Sequence, residues 1–178
     1  MSKVKLVTVS GGLSRPSRSA ALAAAIARKL ATHGAFNIHS IEIADLAPEL
    51  GGVLSPKGAP PRIAEAIREI ESADALVVST PVYRGSYTGL FKHLFDLIDY
   101  EALIGKPVLL AACGGSDRHA LVIDHQLRPL FSFFQSLTLP IGVFANDGDF
   151  TNYEVSNEGL EARIDLAVER SIGHLRPR

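Results

Sequence analysis

The pattern that most constrains this chain is a set of short, unbroken apolar runs that each stop at Gly, Ser or Pro and give way to helical periodicity. Residues 75–80 read ALVVST and residues 107–113 read PVLLAAC. Neither alternates apolar with polar, as a strand with one wet face must. Runs of this kind suit parallel strands covered on both faces. Residues 3–10, KVKLVTVS, form a β-rich run apolar at Val4, Leu6, Val7 and Val9, and residues 139–144 read as a fifth strand. Residues 37–43 carry Ile38, Ile41 and Ile43 and read as a strand nearer a sheet edge. Between the runs the period changes. Leu22, Ile26 and Leu30 recur every four residues before Gly34, and Ile63, Ala66, Ile67 and Ile70 form a stripe behind Pro61. Further helices are predicted over 90–99, over 119–135 and over 157–174.

Five strands alternating with five helices predict an α/β fold, a parallel sheet with helices on both faces in a three-layer sandwich. Right-handed crossovers leave few topologies, and for five strands the flavodoxin-like order 2-1-3-4-5 is expected. At 178 residues and without an internal repeat, residues 1–178 read as one domain. Residues 44–61, rich in Gly and Pro, read as a long surface loop.

In this topology ligands bind beyond the carboxyl ends of the strands, at the switch point between strands one and three. The loops after strands one, three and four, residues 10–19, 81–89 and 114–119, all fall on that rim. The first reads SGGLSRPSRS. Ser10, Ser17 and Ser19 offer hydroxyls, Arg15 or Arg18 a guanidinium, and the following helix its unpaired N–H groups and positive dipole end. The loop lacks the Gly-Lys-Ser/Thr of a P-loop and the three spaced glycines of a dinucleotide fingerprint. A monophosphate held by hydroxyls, as in FMN, fits better. The plainer alternative is an N-cap serine beside two solvated arginines.

The second loop, PVYRGSYTG, has Pro81 and Gly85 to shape a turn and Tyr83 and Tyr87 to stack on or close over a ring. Its Arg84 can meet a second anion, such as a nicotinamide dinucleotide. The alternative is an ordinary strand-to-helix turn with Tyr87 packed at the helix start. The third loop follows Cys113 with Gly114, Gly115 and Ser116, whose backbone N–H groups suit the O2/N1 edge of an isoalloxazine, where negative charge develops on reduction. A tight turn alone is the alternative there.

A net charge of -1 gives no reason to expect nucleic acid or an anionic membrane as partner. The apolar runs are too short to span a bilayer, and no signal-peptide pattern opens the chain, so the cytoplasm is expected. Cys113 is the single cysteine, which excludes an intrachain disulfide and a cysteine metal cluster; it reads as a small core residue. The six histidines show no metal spacing, so no metal is expected. Asp147 and Asp149 read as turn residues. Hydride transfer between cofactors needs no protein acid or base, so no catalytic nucleophile is expected.

SGGLSRPSRS, STPVYRGSYTGLFKHLFD and CGGSDRHALVIDHQLRP resemble the NAD(P)H-dependent FMN reductases of sulfonate and sulfone utilisation, within the flavodoxin-like NADPH-dependent FMN reductase superfamily. The resemblance runs to about residue 150. Its most specific element is PVYxxxYxGxxKxxxD, here Pro81, Val82, Tyr83, Tyr87, Gly89, Lys92 and Asp96. It implies a two-component system in which the reductase uses NAD(P)H to make free reduced FMN. A separate flavin-dependent monooxygenase then uses that FMN with oxygen to cleave a C–S bond. It also implies that Ser10, Arg15, Ser17, Arg18 and Ser19 hold the phosphate, and that Pro81, Val82, Tyr83, Arg84, Gly114, Gly115 and Ser116 line the flavin. The runner-up is a quinone or azo reductase of the same fold with tightly held FMN. A flavodoxin is disfavoured by the near-neutral charge and the lack of Trp, and a phospho-receiver by the absence of an acidic cluster on the rim.

Pro129 has no N–H, so the His125 carbonyl loses its helical partner and the fourth helix is expected to kink or bulge there. The resemblance implies a π-helix at a subunit interface with His125 in the inserted position, favouring flavin release, and self-association as a homodimer or homotetramer. The Phe131, Phe133 and Phe134 cluster permits either an interface or a core.

Overall fold

The computed structural model describes residues 3–176. Its centre is a parallel sheet. Strand β1 (Val4–Ser10) lies between β2 (Phe36–Glu42) and β3 (Ala75–Pro81), and β4 (Pro107–Gly114) follows β3. With β5 (Leu137–Thr138) next to β4, the order is β2-β1-β3-β4-β5, the flavodoxin-like order expected. The single strand expected over 139–144 is replaced by two short ones, at 137–138 and 143–146. β5 pairs with the start of β4, and β6 (Val143–Asn146) pairs with its end. Pro140, which cannot donate to a ladder, separates them. Gly142 follows, where an added Cβ would lie 2.7 Å from Ile123 Cγ2.

Alternation along the strands splits the core into two layers. Val7, Val9, Leu76, Val78, Val108 and Leu110 face one side. There they meet α3 (Pro61–Glu71), α4 (Gly89–Asp96) and α5 (Arg128–Phe133), with Phe91, Phe95, Phe131 and Phe134 buried together. Leu6, Val77, Leu109 and Ala111 face the other side. They meet α1 (Arg18–Ala31) and α6 (Glu158–Ser171). The small Ala23 and Ala27 let α1 sit close to the sheet.

Two stretches differ from expectation. Residues 43–50, read from sequence as mostly loop, form α2 (Ile43–Leu50), because Ile43, Leu46 and Leu50 share a buried face. Pro48 disguises this, yet in so short a helix it removes only the bond to the Ala44 carbonyl. The single helix expected over 119–135 is broken. A 3₁₀ turn (Asp117–His119) precedes a π-helical turn (Ile123–Leu127), in which the Arg128 N–H reaches back to the Ile123 carbonyl; α5 then follows. His125 lies exposed in that π-turn. Phe131 and Phe134 belong to the core, whereas Phe133 is exposed. A small hairpin of β7 (Phe150–Thr151) and β8 (Glu154–Val155) packs Phe150 and Val155 onto the α1/α6 layer.

Candidate functional site

The turn after β1 is pinned from both sides. The Gly11 N–H donates to the Ser79 carbonyl at 2.7 Å, and the Thr88 hydroxyl donates to the Gly11 carbonyl at 2.8 Å. A Cβ on Gly11 would lie 2.7 Å from Thr80 Oγ1, so no side chain fits. Thr88 is also the N-cap of α4. One hydroxyl therefore ties the first loop to the second.

Gly12 faces Ser17 and Ser19. Their hydroxyls are 2.8 Å apart, and a Cβ on Gly12 would lie 2.3 Å from Ser17 Oγ. Ser17 is the N-cap of α1, accepting from the Ala20 N–H at 3.4 Å, and Ser19 is buried. Arg18 opens the helix. Its Nη1 lies 3.3 Å from Asp147 Oδ1, and its Cζ lies 5.6 Å from the centre of the Tyr153 ring. Two hydroxyls, a guanidinium and a helix N-terminus around a bare glycine suit a phosphate dianion.

The three loops do converge. Ser17, Arg18 and Ser19, then Pro81, Val82 and Tyr83, then Gly114 and Gly115 line one cavity of about 220 Å³ at the carboxyl ends of β1, β3 and β4. Asp147 and Tyr153 line it too. Val82 is held by its N–H to the Cys113 carbonyl at 2.8 Å. Tyr83 and Ser86 close a tight turn around Arg84 (φ 52°) and Gly85 (φ 81°). Arg84 is exposed and shares an adjoining cleft with Val82 and Tyr83.

Other residues expected at the site lie elsewhere. Arg15 turns outward, its Nη2 2.9 Å from Glu42 and 2.7 Å from Asp45, so it clamps the loop to the end of β2 and the start of α2. Ser10 is buried beneath the loop, beside Ser79 in the register, and its hydroxyl finds no protein partner. Ser116 lies just past the cavity, where its carbonyl starts the 3₁₀ turn by accepting from His119. Tyr87 packs 5.9 Å from Phe91 in the aromatic layer rather than toward the cavity. The π-turn touches the second loop through Gln126, whose Oε1 accepts from the Ser86 hydroxyl at 3.0 Å.

Cys113 sits on the cavity floor. Burial pushes its thiol up to about 12 from 9.0, against smaller opposing pulls from the Ser79 hydroxyl and the Arg18 charge. It is therefore a neutral thiol, not a nucleophile. Asp149 plays the turn role expected of it, accepting from the Asn146 N–H at 2.8 Å. Sequence reasoning missed Asp147 and Tyr153 as cavity residues. The available signal was a two-residue link, Asn152-Tyr153, between two short β runs; Asn tolerates the left-handed conformation such a turn needs, but Tyr at the second position hides it.

Residues 4–151 match the model of the NADPH-dependent FMN reductase family. The chain belongs to that family. The reductase is 55% identical to the NADH-dependent FMN reductase SfnF of Pseudomonas fluorescens (strain Pf0-1), over 98% of this chain and 95% of that protein. It is 56% identical to the FMN reductase (NADPH) of Pseudomonas aeruginosa, over 96% of this chain and 91% of that one. An oxidoreductase structure from Corynebacterium diphtheriae superposes with a TM-score of 0.87 at 35% identity, covering 97% of each chain. The reductase is an enzyme that oxidises NAD(P)H and reduces FMN. Among its described residues no helix is long and apolar enough to cross a membrane.

Proposed function

We propose that the reductase holds FMN by its phosphate in the cradle of Gly12, Ser17, Arg18 and Ser19, with the flavin ring against Pro81, Val82, Tyr83 and the backbone of Gly114, Gly115 and Ser116. The observation that carries this reading is the meeting of three sequence-distant loops in one cavity, an anion cradle at one end and exposed backbone at the other. Hydride acceptance is the chemistry FMN supplies when bound. The chain's part is orientation. The α1 N-terminus and the two hydroxyls fix the phosphate, which sets where the ring falls. Gly115 and Ser116 present N–H donors to the ring edge that gains charge. Arg84, in the cleft it shares with Val82 and Tyr83, would meet the phosphates of NAD(P)H and so help to orient the nicotinamide toward the ring.

Reduced FMN then passes to a separate flavin-dependent monooxygenase of sulfonate or sulfone use, in the cytoplasm. The 55% and 56% identity to relatives bearing the names SfnF and SfnE supports this reading, as does the exposure of Tyr83, Arg84 and Gly115. His125 and the π-turn belong to a face on which copies of the chain associate as a dimer or tetramer, with exposed Leu121 and Phe133 beside it. The Ser86 to Gln126 hydrogen bond gives that face a route to the ring-binding loop. Titration of the protein with FMN and with riboflavin tests the phosphate placement. FMN is expected to bind at least about thirtyfold more tightly, the value of two or so charge-assisted hydrogen bonds. Equal affinities would remove the reading.

A further inference from the structure

Asp147 and Tyr153 line the phosphate cradle, although a carboxylate repels a phosphate and Tyr153 sets its ring, not a charge, against Arg18. A carboxylate 3.3 Å from the cradle's guanidinium opposes an incoming anion. Tyr153 is held at φ 62° beside Asn152 at φ 49°, in the left-handed region that bulky side chains avoid. Both are fixed there firmly. The turn before the hairpin is knotted by the Asn146 side chain, which accepts from the Gly148 N–H at 2.9 Å and donates to Asp117 at 3.0 Å. The hairpin is closed by its β7–β8 pairing, by the Ser156 N–H on the Asp149 carbonyl at 2.9 Å, and by Phe150 and Val155 seated on the α1/α6 core. A glycine or asparagine at 153 would relieve the backbone, yet the fold carries an aromatic ring there and sets it against Arg18. Strain kept by the surrounding structure points to a task.

The task follows from what each group does to one phosphate and to two. A terminal phosphate held on the α1 side of Arg18 would share the guanidinium with Asp147. A phosphate esterified onward must send its second phosphate out of the cradle. Beside Arg18, the cradle's wall is the Asp147 carboxylate and the Tyr153 ring. The second phosphate meets a like charge and a blocked exit.

We propose that Asp147 and Tyr153 are specificity-determining residues that restrict this cradle to flavins ending in a free monophosphate and reject those continuing into a pyrophosphate, such as FAD. The inference rests on the phosphate placement proposed above. Its test is binding without NAD(P)H: FMN, FAD and riboflavin titrated into wild type, Asp147→Asn, Tyr153→Gly and the double variant. Wild type is expected to favour FMN over FAD by about thirtyfold or more, and the double variant to bring the two within about threefold, with riboflavin affinity unmoved. Tyr153→Phe, which keeps the ring, is expected to keep the wild-type ratio. Asp147 is exposed and glycine suits the turn, so thermal melts of the variants should match wild type. A wild-type ratio near one overturns the proposal, as does an undiminished ratio in the folded double variant. Wild type binding FMN no better than riboflavin removes the cradle itself, and the gate with it; that result is separable because it shows in the FMN-to-riboflavin ratio.

Discussion

The two ends of the cavity are built differently. At the tail end, Gly11, Gly12 and Ser19 are buried, and the loop is bonded to β3 and to the start of α4 before any ligand arrives. At the ring end, Tyr83 is 49% exposed, Arg84 lies open on its tight turn, and Gly115 lies open on the loop after β4. Preorganised donors cost little to use, because their ordering is already met by the fold. An open ring end leaves room for a second cofactor and a route out. On the proposed placement of FMN, grip and chemistry fall at opposite ends of one mouth, so substitutions at the two ends should move different quantities.

The largest expected effect is at the tail. Gly12→Ala puts a methyl group into the hydroxyl pair and should weaken FMN binding by about thirtyfold with the fold intact, since two charge-assisted bonds are lost. Calorimetric titration measures this; a loss under about threefold would mean that the anion does not sit on Gly12. Arg18→Ala should cost about tenfold in FMN affinity and nothing with riboflavin. The floor beneath gives a pH signature. The folded Cys113 thiol keeps its proton to about 12, while the unfolded thiol loses it near 9.0. Stability should therefore fall as pH rises above 9.0. The difference between wild type and Cys113→Ala in urea melts should change by up to about 1.4 kcal/mol per pH unit in that range and be flat below it. At the ring end, Arg84→Ala should raise the KM for NAD(P)H about fivefold in steady-state assays and leave FMN affinity alone. A matching drop in FMN affinity would erase the distinction between the ends. The smallest effect belongs to Arg15→Ala. With its guanidinium committed to Glu42 and Asp45, removal should change FMN affinity less than about twofold and stability by about 0.5 kcal/mol.

Arg15 and Arg18 also show what could be read from the chain alone. Unbroken apolar runs and the 3.6-residue stripes were enough for the sheet order and for the placing of three loops on one rim. Those signals are local, and burial on both faces leaves them plain. Which arginine turned inward was not local. Glu42 and Asp45, about thirty positions away, draw Arg15 outward, while the first turn of α1 aims Arg18 at the cavity. The same holds for Tyr153, whose hairpin lacks the glycine that usually marks such a turn and which reaches the site only because its strands pack on α1. Two other misses were local but masked by proline. Pro48 hid the buried face of α2, and Pro140 divided a strand that looks continuous by hydropathy.

The Thr88 hydroxyl lines no part of the cavity, yet it sews the backbone of Gly11 to the head of α4. Losing that stitch would slacken both walls at once. A survey of tolerated substitutions should thus find position 88 as intolerant as the serines that face the cavity.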